Sequence, residues 1–362
     1  MASTIPETDA SAPAKKPGPA VASSPGFYDW LAEQDVSLAL TTYQAGRLLL
    51  IGRKPGGGLR AHERRLEHCQ GLWTDGQALW ASSKAILWRF ENDLAEGTTT
   101  ARGATRRFVP REGRVTGEID IHDIGMGDVG EGAAGPIFVN AAFNCLATIS
   151  DHFSFRALWR PPFISALVGE DRCHLNGLAM DEDRPAFVTA VSRSDVADGW
   201  RERRRDGGVI VDMASGEIVA SGLSMPHSPR LHDGRLWLLN SGTGEFGWVD
   251  QASGRFEPVA FCPGYARGLA FVGAYAVIGL SRPRSDATFH GLELQDRLEA
   301  KDALPRCGLI VVDLETGRVV EWLRFEGIIE ELYDVALLAG VAQAEAVGFV
   351  GEDIRRLVTV EA

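Results

Sequence analysis

Three histidines are the residues of this chain whose type and position could do chemistry. His122, His174 and His227 stand about 50 residues apart, each at or just before the start of a short apolar stretch. Neutral imidazole is a good ligand for zinc, iron and copper, and a three-histidine site leaves one coordination position for water or substrate. The histidines therefore predict a divalent transition metal (iron, copper or zinc), with Asp334 or Gln70 as a further ligand.

Polar residues at comparable positions supply the other groups that a catalytic site needs. The Arg267 guanidinium is a planar fork of donors that can hold a carboxylate or phosphate. Together with Asn176 and Asp334 it forms the predicted catalytic set. The predicted substrate-binding residues are polar side chains near strand ends, namely Arg267, Gln70, Asn140, Asn240, Arg193 and Arg282. The alternative is a wet channel whose polar side chains only bond ordered water.

A repeated unit explains why these residues recur. The unit is a polar opening residue, an apolar strand, a turn and a second apolar strand. Its six openings, about 40 to 67 residues apart, are Gln70, His122, Asn176, His227, Arg267 and Asp334. This spacing is typical of one four-stranded blade with insertions. The sequence thus predicts an all-β, six-bladed β-propeller, in which the six opening residues meet in one central well.

The outer half of the blade repeats as well. A strand ending in Asp, a turn containing Ser or Thr, and then Gly recurs at 209–217, 247–255 and 310–318. Asp can accept bonds from the backbone that follows it, and Gly supplies a positive φ, so this pattern predicts a hairpin. The last inner pair, 334–350, has no outer strands after it, and the strands at 37–66 have no inner pair before them. One blade built from both termini would close the ring and remove exposed sheet edges.

The domain boundaries follow from composition. Residues 1–26 are rich in Ala, Pro, Ser and Lys and predict a disordered tail, whereas residues 27–362 predict a single domain that begins with a short helix at about 27–31. Two long insertions, 192–207 and 281–306, leave from the rim of the predicted well. They are expected to cover its mouth as lids, because loops on a rigid scaffold commonly carry function.

Charge and cysteine content narrow the range of partners. The net charge of −12 argues against nucleic acid, whose phosphates need a basic surface. No apolar run approaches the length of a membrane span. Five scattered cysteines, none spaced as CxxC, indicate neither a disulfide framework nor a zinc ribbon. A cytoplasmic protein is the expectation, and nothing in the sequence fixes its oligomeric state.

Several longer phrases resemble a bacterial family known only as domain of unknown function 4915. They are Leu40–Gly46, Thr116–His122, Trp159–Ser165, Asp171–Gly177 and Ser224–Pro229. The resemblance covers about residues 30 to 340 and implies no established chemistry. The predicted fold is also similar to that of propeller enzymes such as gluconolactonases, virginiamycin B lyase and the carotenoid oxygenases. The last hold iron with four axial histidines, a pattern that this chain does not meet, since it has two at equivalent positions and one nearby.

The sequence therefore predicts a metal-dependent enzyme that acts on a small anionic metabolite or a modified amino acid or peptide at the channel mouth. Oxygenase, lyase and hydrolase chemistry remain open. The alternative is a non-catalytic propeller that binds a protein or metabolite through its rim. A concave pocket with converging polar groups would favour the enzyme, and a large exposed apolar patch would favour the binding module.

Overall fold

A computed structural model of the protein describes residues 20–283 and 290–360. The first thirteen strands are β1 (Ala20–Ser23), β2 (Val36–Thr42), β3 (Arg47–Arg53), β4 (Leu59–Arg65), β5 (Leu72–Thr74), β6 (Ala78–Ser82), β7 (Ile86–Asn92), β8 (Arg106–Val115), β9 (Ile121–Asp128), β10 (Ala134–Asn140), β11 (Cys145–Thr148), β12 (Arg156–Trp159) and β13 (Leu175–Asp181). The others are β14 (Arg184–Ala190), β15 (Gly208–Asp212), β16 (Ile218–Leu223), β17 (Pro226–His232), β18 (Arg235–Asn240), β19 (Glu245–Asp250), β20 (Arg255–Phe261), β21 (Tyr265–Val272), β22 (Tyr275–Ser281), β23 (Gly308–Asp313), β24 (Val319–Glu326), β25 (Val335–Ala339) and β26 (Ala344–Ala346).

These strands form six sheets, which are the blades of a propeller. From the axis outward, blade I is β25-β2-β3-β4, blade II is β5-β6-β7-β8-β26, blade III is β9-β10-β11-β12, blade IV is β13-β14-β15-β16, blade V is β17-β18-β19-β20, and blade VI is β21-β22-β23-β24-β1. Each innermost strand contacts the innermost strand of the next blade, and β25 contacts β5. The ring is therefore closed, and the six-bladed prediction is confirmed.

Blade I joins the two ends of the chain, but with a different division of strands from the predicted one. Its innermost strand β25 pairs with β2 from the N-terminal side, with Leu338 opposite Ser37 and Val335 opposite Leu40. Of the predicted partner segment, 346–350, only Ala346 lies in a strand, and that strand is β26. Instead β26 adds to the outer edge of blade II, parallel to β8. Every residue of β2 is buried, so it suits an interior position in the blade.

The outer hairpins form as predicted. The Asp212 carboxylate accepts the backbone N–H of Ser215 at 2.9 Å, and the Asp313 carboxylate accepts that of Thr316 at 2.7 Å. The glycine that ends each turn has a left-handed φ of 73° at Gly216 and 67° at Gly317. Local side-chain chemistry thus fixes the turn between the third and fourth strands of these blades.

The blades pack on each other through apolar side chains. Leu38 and Leu40 of blade I lie in one buried cluster with Val277 of blade VI. Leu239 of blade V packs in another cluster with Ile278 of blade VI. Burial of such residues removes about 25 cal/mol of unfavourable hydration per Å² of apolar surface, which stabilises the ring as a whole.

Among the described residues, three short α-helices lie outside the blades: α1 (Phe27–Glu33), α2 (Glu293–Ala300) and α3 (Glu352–Arg356). The predicted helix near residue 27 is confirmed as α1, which buries Phe27, Trp30 and Leu31. Ordered structure begins earlier than the predicted boundary at residue 27, because β1 pairs with β24 from Ala20 to Ser23. Residues 1–19 lie outside the described residues. No helix among the described residues is long and apolar enough to cross a bilayer.

Candidate functional site

A pocket of about 180 Å³ opens at the end of the axis where the innermost strands begin. It is smaller than the roughly 300 Å³ of typical drug-sized ligand pockets, so it suits a small molecule. Its lining residues come from several blades and from the first insertion: Tyr43, Gln70, Asp120, His122, Asp171, His174, Trp200, Arg201, Met225, Arg267 and Tyr333. Of the predicted site residues, the structure brings Gln70, His122, His174 and Arg267 together here.

Asp334 does not face the pocket, because the predicted register of blade I is wrong by one residue. Tyr333 takes the pocket position in that blade, and Asp334 lies one residue further along. The Asp334 carboxylate accepts the backbone N–H groups of Leu72 at 3.0 Å and of Val335 at 2.8 Å. β25 is short, so few residues indicate its register in the sequence. The prediction also favoured Asp334 over Tyr333 because an acidic side chain is a more typical site residue than tyrosine.

A second layer lies one residue after Gln70, His122, Asn176, His227, Arg267 and Tyr333, and in it glycine alternates with a polar residue. Around the ring, from blade I to blade VI, this layer is Asp334, Gly71, Asp123, Gly177, Ser228 and Gly268. Each polar side chain accepts a backbone N–H from the next blade: Asp334 from Leu72, Asp123 from Leu178 and Ser228 from Gly268, all at 3.0 Å. A side chain at the glycines would collide with the neighbouring blade. A Cβ on Gly177, for example, would lie 2.3 Å from Cδ of Pro229.

An arginine joins two members of this second layer. Both Arg230 terminal nitrogens bond the Asp123 carboxylate, at 2.8 and 3.1 Å, and the guanidinium lies 3.9 Å from Asp334. Burial and the like charge of Asp123 raise the pKa of Asp334 to about 8, although Arg230 opposes this shift. We call Asp123, Arg230 and Asp334 the ion layer. Its members bond one another and the backbone, so they hold blades together.

Two histidines near the axis, His122 in the pocket and His227 below it, have the same hydrogen bond and hence the same tautomer. Nδ1 of His122 lies 3.0 Å from the carbonyl of Asp120, and Nδ1 of His227 lies 2.7 Å from the carbonyl of Met225. A carbonyl only accepts, so Nδ1 carries the hydrogen and Nε2 of the neutral ring is the basic nitrogen. The residue two positions earlier is left-handed in both cases, with φ 58° at Asp120 and 48° at Met225.

His174 is oriented by a carboxylate instead. Its Nδ1 lies 3.0 and 3.1 Å from the two oxygens of Asp171, and Asp171 also accepts the indole N–H of Trp200 at 2.8 Å. The Trp200 ring stacks on the imidazole at 4.2 Å. Burial by itself raises the pKa of the Asp171 carboxyl, but the charge and hydrogen bond of His174 outweigh it, so this pKa lies below its usual value.

His122 and His174 lie close together, and burial is the main influence on the pKa of His122 and of His227. The rings of His122 and His174 are perpendicular, with their centres 4.8 Å apart. Burial lowers the pKa of His122, helped by the charges of His174 and Arg267 and opposed by Asp120. Burial and the charge of Arg267 lower the pKa of His227 well below its usual value. Neutral imidazole is therefore favoured at His122 and His227 near pH 7.

His227 and Asn176 lie deeper than predicted and do not line the pocket. In blades IV and V the lining residues are His174 and Met225, two positions before each. The Asn176 carbonyl oxygen accepts the hydroxyl of Thr189 at 2.7 Å. Among the described residues, Nδ2 of Asn176 and Nε2 of His227 have no hydrogen-bond partner. Such orphaned buried groups commonly bond an ordered water or a ligand.

Arg267 lies between two aromatic rings at the pocket wall. Its guanidinium carbon is 4.9 Å from the ring centre of Tyr265 and 4.7 Å from that of Tyr333. Burial alone would lower the pKa of Arg267, but the neighbouring tyrosines and the Glu331 carboxylate raise it, so the side chain stays charged. The two rings restrict the rotamers of the guanidinium, which prepares it to bind a ligand.

The two insertions take different places. The first supplies Trp200 and Arg201 to the pocket lining, as expected of a lid. In the second, α2 packs through Leu294 and Leu298 on a cluster that includes Trp200 and Met225. None of its described residues lines the pocket, and residues 284–289 of this predicted lid lie outside the described residues. The second insertion therefore supports the first.

Four predicted substrate-binding residues lie away from the pocket. The Asn140 and Asn240 side chains are buried in turns, where their carbonyl oxygens accept the backbone N–H groups of Phe143 at 3.0 Å and Ser224 at 2.7 Å. Their place at strand ends reflects this turn-forming role. Arg193 and Arg282 are exposed on the rim. Exposed arginines at the start of an insertion need not turn toward the axis, because nothing packs them inward.

A metal at the three histidines stays a prediction. In the part of the chain that the structure describes, no three His, Cys, Asp or Glu side chains are arranged so that they could hold a metal ion. His227 is separated from the pocket by Met225, and the Asp171 carboxylate is engaged by His174 and Trp200. The charge of Arg267 also opposes a cation here. The lining fits an anion better than it fits a metal.

Sequence analysis missed seven lining residues: Tyr43, Asp120, Asp171, Trp200, Arg201, Met225 and Tyr333. Asp120 and Asp171 precede His122 and His174 by two and three residues, and such Asp–His spacing was the available signal. Tyr43 and Trp200 are far from any opening residue in sequence, so only the ring closure and the fold of the first insertion place them here.

Comparisons with known proteins bear on the fold and the family. A chain of a nidogen/laminin complex superimposes with a TM-score of 0.51 at 13% identity, over 84% of this chain and 99% of that chain. A virginiamycin B lyase from Staphylococcus aureus aligns with a TM-score of 0.36 at 12% identity, over 86% of this chain and 100% of that chain. At such identities the first match shows a shared fold and nothing about activity.

A search of curated proteins found no relative. A family model described as "Domain of unknown function (DUF4915)" matches residues 25–347, which contain all six inner strands and every residue that lines the pocket. The resemblance expected from the sequence is thereby confirmed. The chain belongs to the DUF4915 family.

Proposed function

We propose that the axial pocket binds a small anionic molecule and moves a proton on it, with Arg267 as the anion-binding group and His122 and His174 as the proton-transfer groups. The observation that carries this proposal is the shared orientation of the two imidazoles. Each has Nδ1 engaged by a neighbouring acceptor, and both rings line one pocket beside Arg267. Nε2 of each ring is then the nitrogen available to a ligand.

The anion preference follows from the charges around the pocket. Burial is the main cause of the lowered pKa values of His122 and His227, and the charge of Arg267 adds to it. Arg267 itself stays charged, and a buried positive charge favours an anion bound beside it. A carboxylate or phosphate could take two parallel hydrogen bonds from the guanidinium.

The two histidines differ in a way that suits opposite roles. His122 is held neutral by burial, so its Nε2 can accept a proton from the ligand or from water. The Asp171 carboxylate bonds Nδ1 of His174, so Nε2 is the atom through which this ring would return a proton. One proton taken by His122 and one returned by His174 would balance an elimination, an isomerisation or a hydrolysis.

The compartment is proposed on the cysteines. All five are free and buried in the structure. Free buried thiols are common where the surroundings are reducing, so we propose a cytoplasmic location.

Binding and proton exchange test the proposal together. Acetate, propionate, succinate and inorganic phosphate would be screened by calorimetry and thermal shift, and binders would be incubated in D₂O to follow C–H exchange by NMR. Arg267→Lys keeps the charge and loses the fork, and we expect it to weaken binding at least tenfold. His122→Asn should abolish exchange and leave binding largely intact. Arg193→Gln on the exposed rim is the matched control and should change neither property.

Different outcomes would contradict different parts. If no anion binds the wild type at millimolar concentration, the anion site is wrong. If an anion binds but neither exchange nor turnover depends on His122, the pocket is a binding site without proton transfer. Metal analysis of the purified protein beside His122→Ala and His227→Ala completes the test. A stoichiometric transition metal lost in both variants would replace the anion proposal with the metal site predicted from sequence.

A further inference from the structure

We infer that the ligand of the axial pocket carries a positive group as well as an anionic one, so that its chemical class is a small amino acid or another aminocarboxylate. The inference rests on the proposed function, because it uses Arg267 as the site for the anionic group. It adds a second recognition element, the carboxylate of Asp120, at the mouth of the same pocket.

Asp120 is held in place by contacts on both sides. One carboxylate oxygen accepts the side-chain amide of Gln70 at 2.6 Å, and the other lies 3.6 Å from Nδ1 of His122. The backbone at Asp120 is left-handed, with φ 58°, a conformation that costs free energy in any residue but glycine. The strain turns the Asp120 carbonyl toward His122 and leaves its side chain at the pocket wall.

Asp120 is the pocket carboxylate that remains available to a cation. Asp171, the other one, is engaged by His174 and Trp200. The Asp120 side chain is 40% exposed, and within residues 20–283 and 290–360 no lysine or arginine forms an ion pair with it. An ammonium group bound at Asp120 would form an ion pair with its carboxylate and would not have to displace a lysine or an arginine.

Arg267 and Asp120 differ in depth, which gives the ligand an orientation. Arg267 is only 7% exposed and lies at the inner wall, whereas Asp120 lies nearer the solvent. A pocket of about 180 Å³ that presents both charges matches a molecule with two opposite charges a few bonds apart. The carboxylate would enter first, toward Arg267, and the ammonium would stay at the mouth.

Aromatic rings in the pocket lining favour the ammonium further. Tyr43 lines the pocket, and its ring centre lies 6.4 Å from that of Tyr333 and 4.5 Å from that of His68. The face of a tyrosine ring attracts an ammonium group through its quadrupole. The lining contains two arginines and two aspartates, so its overall charge is near neutral. Such a lining fits a zwitterion better than a multiply charged anion.

Matched pairs of ligands with and without the amine test the inference. Binding to the full-length protein would be measured by calorimetry for L-alanine against propionate, L-serine against 3-hydroxypropionate, and L-aspartate against succinate. We expect at least one amino acid to bind at least tenfold more tightly than its partner. Asp120→Asn keeps the acceptor for Gln70 and should remove that difference, leaving the affinity for the carboxylate within about twofold. Asp183→Asn, an exposed position on another strand turn, is the control.

The possible failures are distinguishable. If the carboxylates bind through Arg267 but the amine adds nothing, or if Asp120→Asn weakens both members of a pair equally, the zwitterion inference is overturned and the anion site stands. If no member of any pair binds, the proposed function is overturned as well. A folded Asp120→Asn variant, verified by circular dichroism, is required for either conclusion.

Discussion

The pocket and the ion layer meet where His122 precedes Asp123 and Tyr333 precedes Asp334, and both contain buried charged groups, yet their polar atoms are bonded differently. In the ion layer, Arg230 bonds both oxygens of Asp123, and the Asp123 and Asp334 carboxylates accept backbone N–H groups from the next blade. In the pocket, Nδ1 of His122 and of His174 is bonded, and the described residues give Nε2 of these rings no such bond.

The difference shows how one ring of strands can separate stability from function. A buried charge that is fully paired cross-links the blades, and breaking such a pair is strongly destabilising. A side chain held by one hydrogen bond keeps its position, and its second polar atom remains available to bind a ligand or to transfer a proton. The alternation of side chains along a strand lets neighbouring residues on one strand serve these two purposes.

Removing the cation from the ion layer should have the largest effect. Arg230→Met leaves Asp123 and Asp334 close together without their counter-charge, so we expect the free energy of unfolding to fall by about 3 to 5 kcal/mol. Urea denaturation followed by tryptophan fluorescence would measure it. Arg184→Met, on the exposed turn between β13 and β14, is the control and should stay within about 0.5 kcal/mol of wild type. A loss of less than about 1 kcal/mol for Arg230→Met would show that the layer does not cross-link the blades.

The two carboxylates of the ion layer should differ from each other. Asp123→Asn breaks the bidentate bond to Arg230 and should cost about 2 to 3 kcal/mol. Asp334→Asn should cost less, because that carboxylate is 3.9 Å from Arg230. The folded pKa of Asp334 is raised to about 8 from 3.8, so its contribution is full below pH 3.8 and declines as the pH rises toward 8. Asp334→Asn should therefore gain stability relative to wild type over that range. A difference between the two proteins that stays constant from acid to alkaline pH would contradict this assignment.

Changing the pocket should have the smallest effect on stability. His122→Asn can keep the donor to the Asp120 carbonyl, and we expect a loss of no more than about 1 kcal/mol at pH 7. Because burial lowers the folded pKa of His122, the wild-type imidazole stabilises the fold above its usual pKa of 6.5 and that contribution is lost as the pH falls through the lowered pKa. The variant should accordingly lose less stability than wild type in acid. His152→Asn, at an exposed histidine, is the matched control, and a loss for His122→Asn as large as that of Arg230→Met would place His122 in the structural framework.

Much of the fold could be predicted because its signals are local. The Asp-x-x-Ser/Thr-Gly turns carry their own hydrogen bonds, and the repeat of polar opening and apolar strand indicates the number of blades. Three of the pocket residues, Gln70, His122 and Arg267, are opening residues of this repeat, and His174 lies two residues before the opening residue Asn176. The three opening residues could be grouped without long-range information, since each occupies the same place in its own unit.

Tertiary structure alone decided which of the other polar residues face the pocket. Tyr333 lines the pocket in place of Asp334 because the register of β25 is set by pairing with β2, about 300 residues away in the chain. Asn176 and His227 are covered by His174 and Met225, and Trp200 reaches the pocket only because the first insertion folds back over it. The sequence of each repeat determines the local geometry of its blade. The register of β25, the depth of a side chain in the pocket and the position of the lid depend instead on contacts between distant segments. The free energies of those contacts cannot be read from any single repeat.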